Sequence, residues 1–151
     1  MIVVERSVLV EYSATQMRGL VEDVAAYPHF LPWCSGAGVV PIQPGLVEAS
    51  IEINFRGIRQ SFTTRNTMDL SASVQRIHMN LVNGPFKSLS GDWQFLPLSS
   101  DACKVILALQ YEFSSRLLEK AIGPVFRHIT DTLVDAFVQR ARSSFPPGAQ
   151  S

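Results

Sequence analysis

Residues 102–142, ACKVILALQYEFSSRLLEKAIGPVFRHITDTLVDAFVQRAR, change hydrophobic period once, and that change decides the fold. Up to residue 113 the apolar positions alternate: Cys103, Val105, Leu107, Leu109, Tyr111 and Phe113 share one face of a strand. Beyond Ser114-Ser115 the spacing turns helical. Leu118, Ile122, Val125 or Phe126, Ile129, Leu133 and Phe137 form a stripe running from about Ser115 to Arg142. At about 1.5 Å per residue this helix is roughly 40 Å long, enough to cross a whole sheet. Gly123-Pro124 predicts a kink in it, or two helices laid end to end.

The same two periods organise the rest of the chain. Residues 3–11 alternate, with Val4, Val8 and Val10 opposite Glu5, Ser7 and Glu11, and read as a strand. Ser13 followed by Gln16 is a capping box, and Met17, Leu20, Val21 and Val24 continue as one helical stripe that Pro28 is expected to end. Residues 27–36, YPHFLPWCSG, read as an aromatic loop or a second short helix. Further alternating segments cover 46–55, 58–70, 74–82 and the stretch through Leu89, Trp93 and Phe95, divided by Arg56-Gly57 and Asn83-Gly84-Pro85. The closing SSFPPGAQS is expected to be a disordered tail, so the domain is placed at 1–143 and the tail at 144–151.

Strands joined by hairpins, with the helices segregated from them, indicate an α+β domain. A single-faced sheet of about six to seven antiparallel strands must cover its apolar side. The long terminal helix, with its wide stripe, is the element available to do so. A curved sheet wrapped around a helix often leaves a lined gap, which is where a small ligand would sit. The candidate residues for the lining or mouth of that gap are Tyr27, Phe30, Leu31, Trp33, Phe55, Phe62, Met79, Phe86, Trp93, Phe95, Phe126, Ile129, Leu133 and Phe137. Pro28 and Pro32 stiffen the segment that carries the first four of these, a wedge suited to touch a membrane, gate the gap or plug the sheet end.

Composition narrows the function. The chain has 151 residues, 46% hydrophobic and 17% charged, with thirteen basic residues balancing thirteen acidic ones, so one well-filled core is expected and no DNA partner. Two cysteines, Cys34 and Cys103, without CxxC or Cys/His spacing, fit reduced thiols in a bacterial cytoplasm. The N-terminal residues have no basic n-region or small-residue cleavage site, and no apolar run is long enough to span a bilayer. The expected location is cytoplasmic, with peripheral contact at the inner membrane allowed.

Four stretches carry a resemblance: VEDVAAYPHFLPWC (21–34), NGPFKSLSGDWQFLPL (83–98), FTTRN (62–66) and AFVQRA (136–141). Together they resemble the coenzyme Q-binding protein and ribosome association toxin family of the START-like polyketide cyclase/dehydrase superfamily. The similarity covers about residues 3–142. It implies a helix-grip (START/Bet v 1-like) fold: a curved antiparallel sheet wrapped around a long C-terminal helix, with one or two short helices after the first strand. It also implies either an isoprenoid quinone, ubiquinone or a similar lipid, as bound ligand, or association with the large ribosomal subunit that blocks subunit joining. Trp33 resembles the quinone-binding branch and tilts the expectation toward quinone. No required cofactor is implied.

Catalytic and metal signatures are weak. His29, His78 and His128 have no ligand spacing, and no GxSxG, HExxH or Gly-rich phosphate loop occurs. Cys34 has no recognisable base partner. Gln60, Thr64 and Asn66, on the Phe62 face, are the polar groups a cyclase-type enzyme would use, and that reading ranks third. Along the last helix Arg116, Lys120, Arg127, Arg140 and Arg142 outnumber Glu119, Asp131 and Asp135, a small basic bias that would suit the ribosome reading.

Overall fold

In the computed structural model, which describes residues 1–71 and 73–146, seven strands form one antiparallel sheet. They are β1 (Ile2–Val10), β2 (Cys34–Gln43), β3 (Leu46–Phe55), β4 (Ile58–Asp69), β5 (Gln75–Asn83), β6 (Phe86–Ser99) and β7 (Ala102–Phe113). The spatial order is β1-β7-β6-β5-β4-β3-β2: six strands joined by successive hairpins, with β1 returned to the far edge beside β7. Helix α1 (Ala14–Glu22) and a 3-10 helix (Val24–His29) fill the crossover from β1 to β2, and α2 (Arg116–Ser144) closes the chain. This is the expected α+β helix-grip architecture, with the sheet curved about α2.

Local sequence explains most boundaries. Ser13 caps α1 through the predicted box: its Oγ accepts from the Gln16 N–H and its own N–H donates to Gln16 Oε1, both at 3.0 Å. Pro28 does not end α1, as the sequence suggested. The helix stops at Glu22, where the Asp23 N–H bonds back to the Gly19 carbonyl, and Pro28 lies inside the 3-10 helix that follows. Arg56 and Gly57 both adopt positive φ, at 52° and 80°, which twists the β3–β4 hairpin in the favoured sense.

Strand β2, CSGAGVVPIQ, is the element that the residue pattern did not reveal. Gly36 and Gly38 supply no side chain to alternate, and Pro41 lacks a ladder donor, which is tolerated because β2 is an edge strand. Helix α2 is one element of 29 residues across Gly123-Pro124, not two laid end to end. It continues through Ser144, and Phe145 packs its ring 6.0 Å from that of Tyr12, so the tail placed at 144–151 is ordered at its start; residues 147–151 lie outside the described residues.

Two aromatic clusters fasten α2, one to the sheet and one to the sheet and the β1–β2 crossover together. Phe126 sits 4.8 Å from Tyr111 and 5.0 Å from Phe86, both edge-on, with Phe62 and Phe113 just beyond. Phe137 meets Phe30 at 5.3 Å, and Tyr27 and Trp93 each at 5.4 Å, again edge-on. Eleven residues separate the two phenylalanines, about three helical turns, so both leave the same face of α2.

Gly91 permits β6 and β7 to curve closely under this helix. A Cβ there would lie 2.7 Å from the Ala108 carbonyl oxygen and closer still to Leu109 Cδ2. Gly91→Ala is therefore expected to destabilise the fold by about 1–3 kcal/mol, the usual cost of overpacking. Urea unfolding checks this; an unchanged midpoint would contradict the packing described.

Candidate functional site: an apolar cavity under the long helix

Between the two aromatic clusters α2 presents smaller side chains, Ile129, Thr130 and Leu133, and here the helix and sheet do not meet completely. The gap is an inner cavity of about 80 Å³. Phe62, Thr64 and Asn66 of β4, Met79 of β5, Leu89 and Trp93 of β6, and Leu107 and Leu109 of β7 form its floor. Ala49 and Ile51 of β3 close one side, and Val24, Tyr27 and Trp33 close an end. A second cavity of about 160 Å³ adjoins it, sharing Val24, Tyr27, Asn66, Met79 and Trp93, and reaches the surface past Val39, Val47, Met68 and Glu22.

Nine of the fourteen sequence candidates line the inner cavity: Tyr27, Trp33, Phe62, Met79, Trp93, Phe126, Ile129, Leu133 and Phe137. The other five sit elsewhere. Phe95 is fully buried and stacked on Trp93, because β6 carries it beyond the end of the gap into solid core. Phe86 is enclosed by Phe62, Tyr111, Phe113 and Phe126. Leu31 is buried in the core without reaching the wall. Phe55, the last residue of β3, stacks on His128 at 5.1 Å with the Arg56 guanidinium 4.9 Å from its ring, outside the cavity. Phe30 lies in an open groove against the last turns of α2, with Arg140 5.0 Å from its ring.

The 27–33 segment is thus a plug. Its bulky residues Tyr27, Leu31 and Trp33 turn inward, while Pro28, His29 and Pro32 face solvent. Phe30 is the one aromatic side chain of the segment that stays half-exposed. Among the described residues no helix is long and apolar enough to cross one.

Sequence reasoning missed Val24, Ala49, Ile51, Leu89, Leu107, Leu109 and Thr130 as wall residues. Strand alternation or, for Val24, the helical stripe marked the apolar ones as core, Thr130 lay off the stripe read for the last helix, and nothing in a period distinguishes core from cavity wall. Thr64 and Asn66 were singled out only as inward-facing polar groups, and the structure does turn both inward: the Thr64 hydroxyl donates to Asn66 Oδ1 at 2.7 Å. Gln60 does not reach either cavity.

The lining is nearly free of charge. Tyr27 donates its phenol proton to the Val21 carbonyl, and burial holds its pKa far above the usual value, with Cys34 and Asp23 adding to the effect. Thr130 donates to the Arg127 carbonyl at 3.0 Å. Glu22 at the mouth of the outer cavity is paired with Arg18 at 3.1 Å. Burial also pushes the Cys103 thiol up to about 11 and raises Cys34, so both are held as neutral thiols. Among the described residues, no three His, Cys, Asp or Glu side chains converge to hold a metal ion.

These raised values set an alkaline limit. Tyr27, Cys34 and Cys103 are neutral in the fold and ionise more readily when unfolded, so their contribution is complete below the unfolded values of 9.0 and 10.0 and is lost as pH rises through the folded ones. The urea midpoint is expected to hold from pH 7 to 8.5 and then fall toward pH 11, less steeply in Cys103→Ala. A flat midpoint up to pH 11 would contradict this.

Comparison with known proteins bears on the same region. Residues 10–138 match the family described as polyketide cyclase/dehydrase and lipid transport. The chain is 44% identical over 142 residues to the ribosome association toxin RatA of Escherichia coli strain K12, covering 94% of this chain and 88% of that protein. It is 25% identical to the mitochondrial coenzyme Q-binding protein COQ10 homolog B of Xenopus laevis, covering 86% of this chain and 54% of that one. The crystal structure of the Zhui aromatase/cyclase from a Streptomyces superposes with a TM-score of 0.74 at 17% identity, covering 97% of this chain and 98% of the other, which shows the shared fold. The identities run against the tilt toward quinone that Trp33 suggested.

Proposed function

This chain belongs to the polyketide cyclase/dehydrase and lipid transport family, and from that premise we propose that it associates with the ribosome, docking on the large subunit and hindering subunit joining. The observation that carries this reading is the match to a protein named a ribosome association toxin over nearly the full length of both chains. The charge pattern of α2 supports it. Arg116, Lys120 and Arg127 fall at i, i+4 and i+11, one exposed stripe, with Arg140 and Arg142 further along. Among the described residues none of the five is ion-paired, while Asp131, the acid that would offset Arg127, is tied to Arg6 of β1 at 2.7 Å. Unpaired cations on a rigid helix are suited to phosphates, whose counterions they release. A ribosomal role would place the protein in the cytoplasm.

A second reading, favoured by the uncharged cavity, is that the chain also holds a hydrophobic ligand such as an isoprenoid quinone. Size limits it. Apolar cavities of about 150 Å³ accept benzene, and pockets for larger ligands run from about 300 Å³. The two cavities here, about 80 and 160 Å³, accommodate a single ring or short chain, and a whole quinone would require the plug or α2 to move. A nearly uncharged lining whose polar side chains include the hydrogen-bonded Thr64–Asn66 pair supports binding over catalysis.

Cosedimentation with purified ribosomal subunits tests the first reading. The protein is expected to travel with large subunits at 50 mM KCl and to weaken steeply by 200 mM. Lys120→Glu with Arg127→Glu should weaken binding at least tenfold and flatten the salt dependence. A wild-type protein that stays at the top of the gradient at 50 mM KCl would overturn the reading.

A further inference from the structure

We propose that Asn66, braced by Thr64, is the polar contact of a ligand that is neutral, compact and carries one carbonyl or hydroxyl group, and that the cavity rejects carboxylates. The inference rests on the ligand-cavity reading and gives that ligand a chemical class. Asn66 is only 8% exposed, and it lines both the inner and outer cavities, so its amide stands at the neck between them.

The hydrogen bonds around the neck leave one group unspent. Tyr27 and Thr130 commit their hydroxyl protons to the backbone carbonyls of Val21 and Arg127. Asn66 accepts from Thr64, and among the hydrogen bonds of the described residues this is its one side-chain interaction, which leaves its NH2 uncommitted. An amide in apolar surroundings gains from any partner that enters with it. Thr64 can donate or accept, so the pair presents either amide protons to a ligand carbonyl or, with the amide turned over, its oxygen to a ligand hydroxyl.

Exclusion of anions follows from the remaining wall. Neither cavity is lined by a lysine, arginine or histidine, and the one carboxylate, Glu22, stands at the mouth. A carboxylate entering would shed its water with no cation to receive it. The outer cavity, at about 160 Å³, has room for a ring or a short chain beside the amide.

The test is titration of 15N-labelled full-length protein at pH 7.5 with 2-heptanone and with heptanoate, matched in chain length, followed by NMR. The ketone is expected to shift the Asn66 side-chain amide resonances, and heptanoate to bind at least tenfold more weakly. Asn66→Leu, shown to be folded by its spectrum, should weaken ketone binding about fivefold, the loss of one hydrogen bond. Thr64→Val, which leaves the amide in place, should weaken it less. Heptanoate binding as tightly as the ketone, or ketone binding that leaves the Asn66 resonances unmoved, would overturn this inference while leaving a ligand cavity standing. If neither probe binds the wild-type protein, the ligand-cavity reading and this inference both fall.

Discussion

Phe126 and Phe137 project from one face of α2 about three turns apart: Phe126 enters a nest of sheet rings, and Phe137 one built from Trp93 of β6 with Tyr27 and Phe30 of the crossover. Edge-on aromatic pairs of this kind contribute about 0.5–1.5 kcal/mol each beyond the area they bury. Two such anchors fix both the height of the helix above the sheet and its rotation. The smaller Ile129, Thr130 and Leu133 between them then cannot reach the floor, and a cavity results. The same rotation turns Arg116, Lys120 and Arg127 outward. The cavity and the basic stripe are thus two consequences of how one helix is pinned.

Much of this was legible in the residues. The switch from period two to helical period near Ser115 located the last strand and the long helix within a few residues of their observed ends. Ser13 and Gln16 marked the start of α1, and Arg56-Gly57 a hairpin. Strand β2 escaped because glycine and proline remove the alternation by which a strand is recognised, and its place at the sheet edge lets such a sequence pair at all. Pro28 is not the helix stop that its residue type suggests, because α1 has already ended at Glu22 and Pro28 falls near the end of the separate 3-10 helix that follows.

The site was legible only in part, for a geometric reason. Trp93 and Phe95 occupy equivalent positions two residues apart on β6, yet one faces the cavity and the other solid core. Which of them does so depends on what α2 places opposite, a relation between residues some forty positions apart. Asn66 was visible in FTTRN as an inward polar residue, but its position at the neck between two cavities appears only once β4 and β5 are set side by side.

Taken together, these features put the protein's interior and exterior to different uses: a small uncharged cavity inside, an unpaired cationic stripe outside. Subunit joining in vitro is the decisive experiment, with purified small and large ribosomal subunits mixed at joining magnesium concentration and followed by light scattering as the protein is added. Joining is expected to fall in proportion to added protein, and pre-incubation with large subunits to inhibit more than pre-incubation with small ones. Undiminished joining at a several-fold excess of folded protein would contradict that expectation.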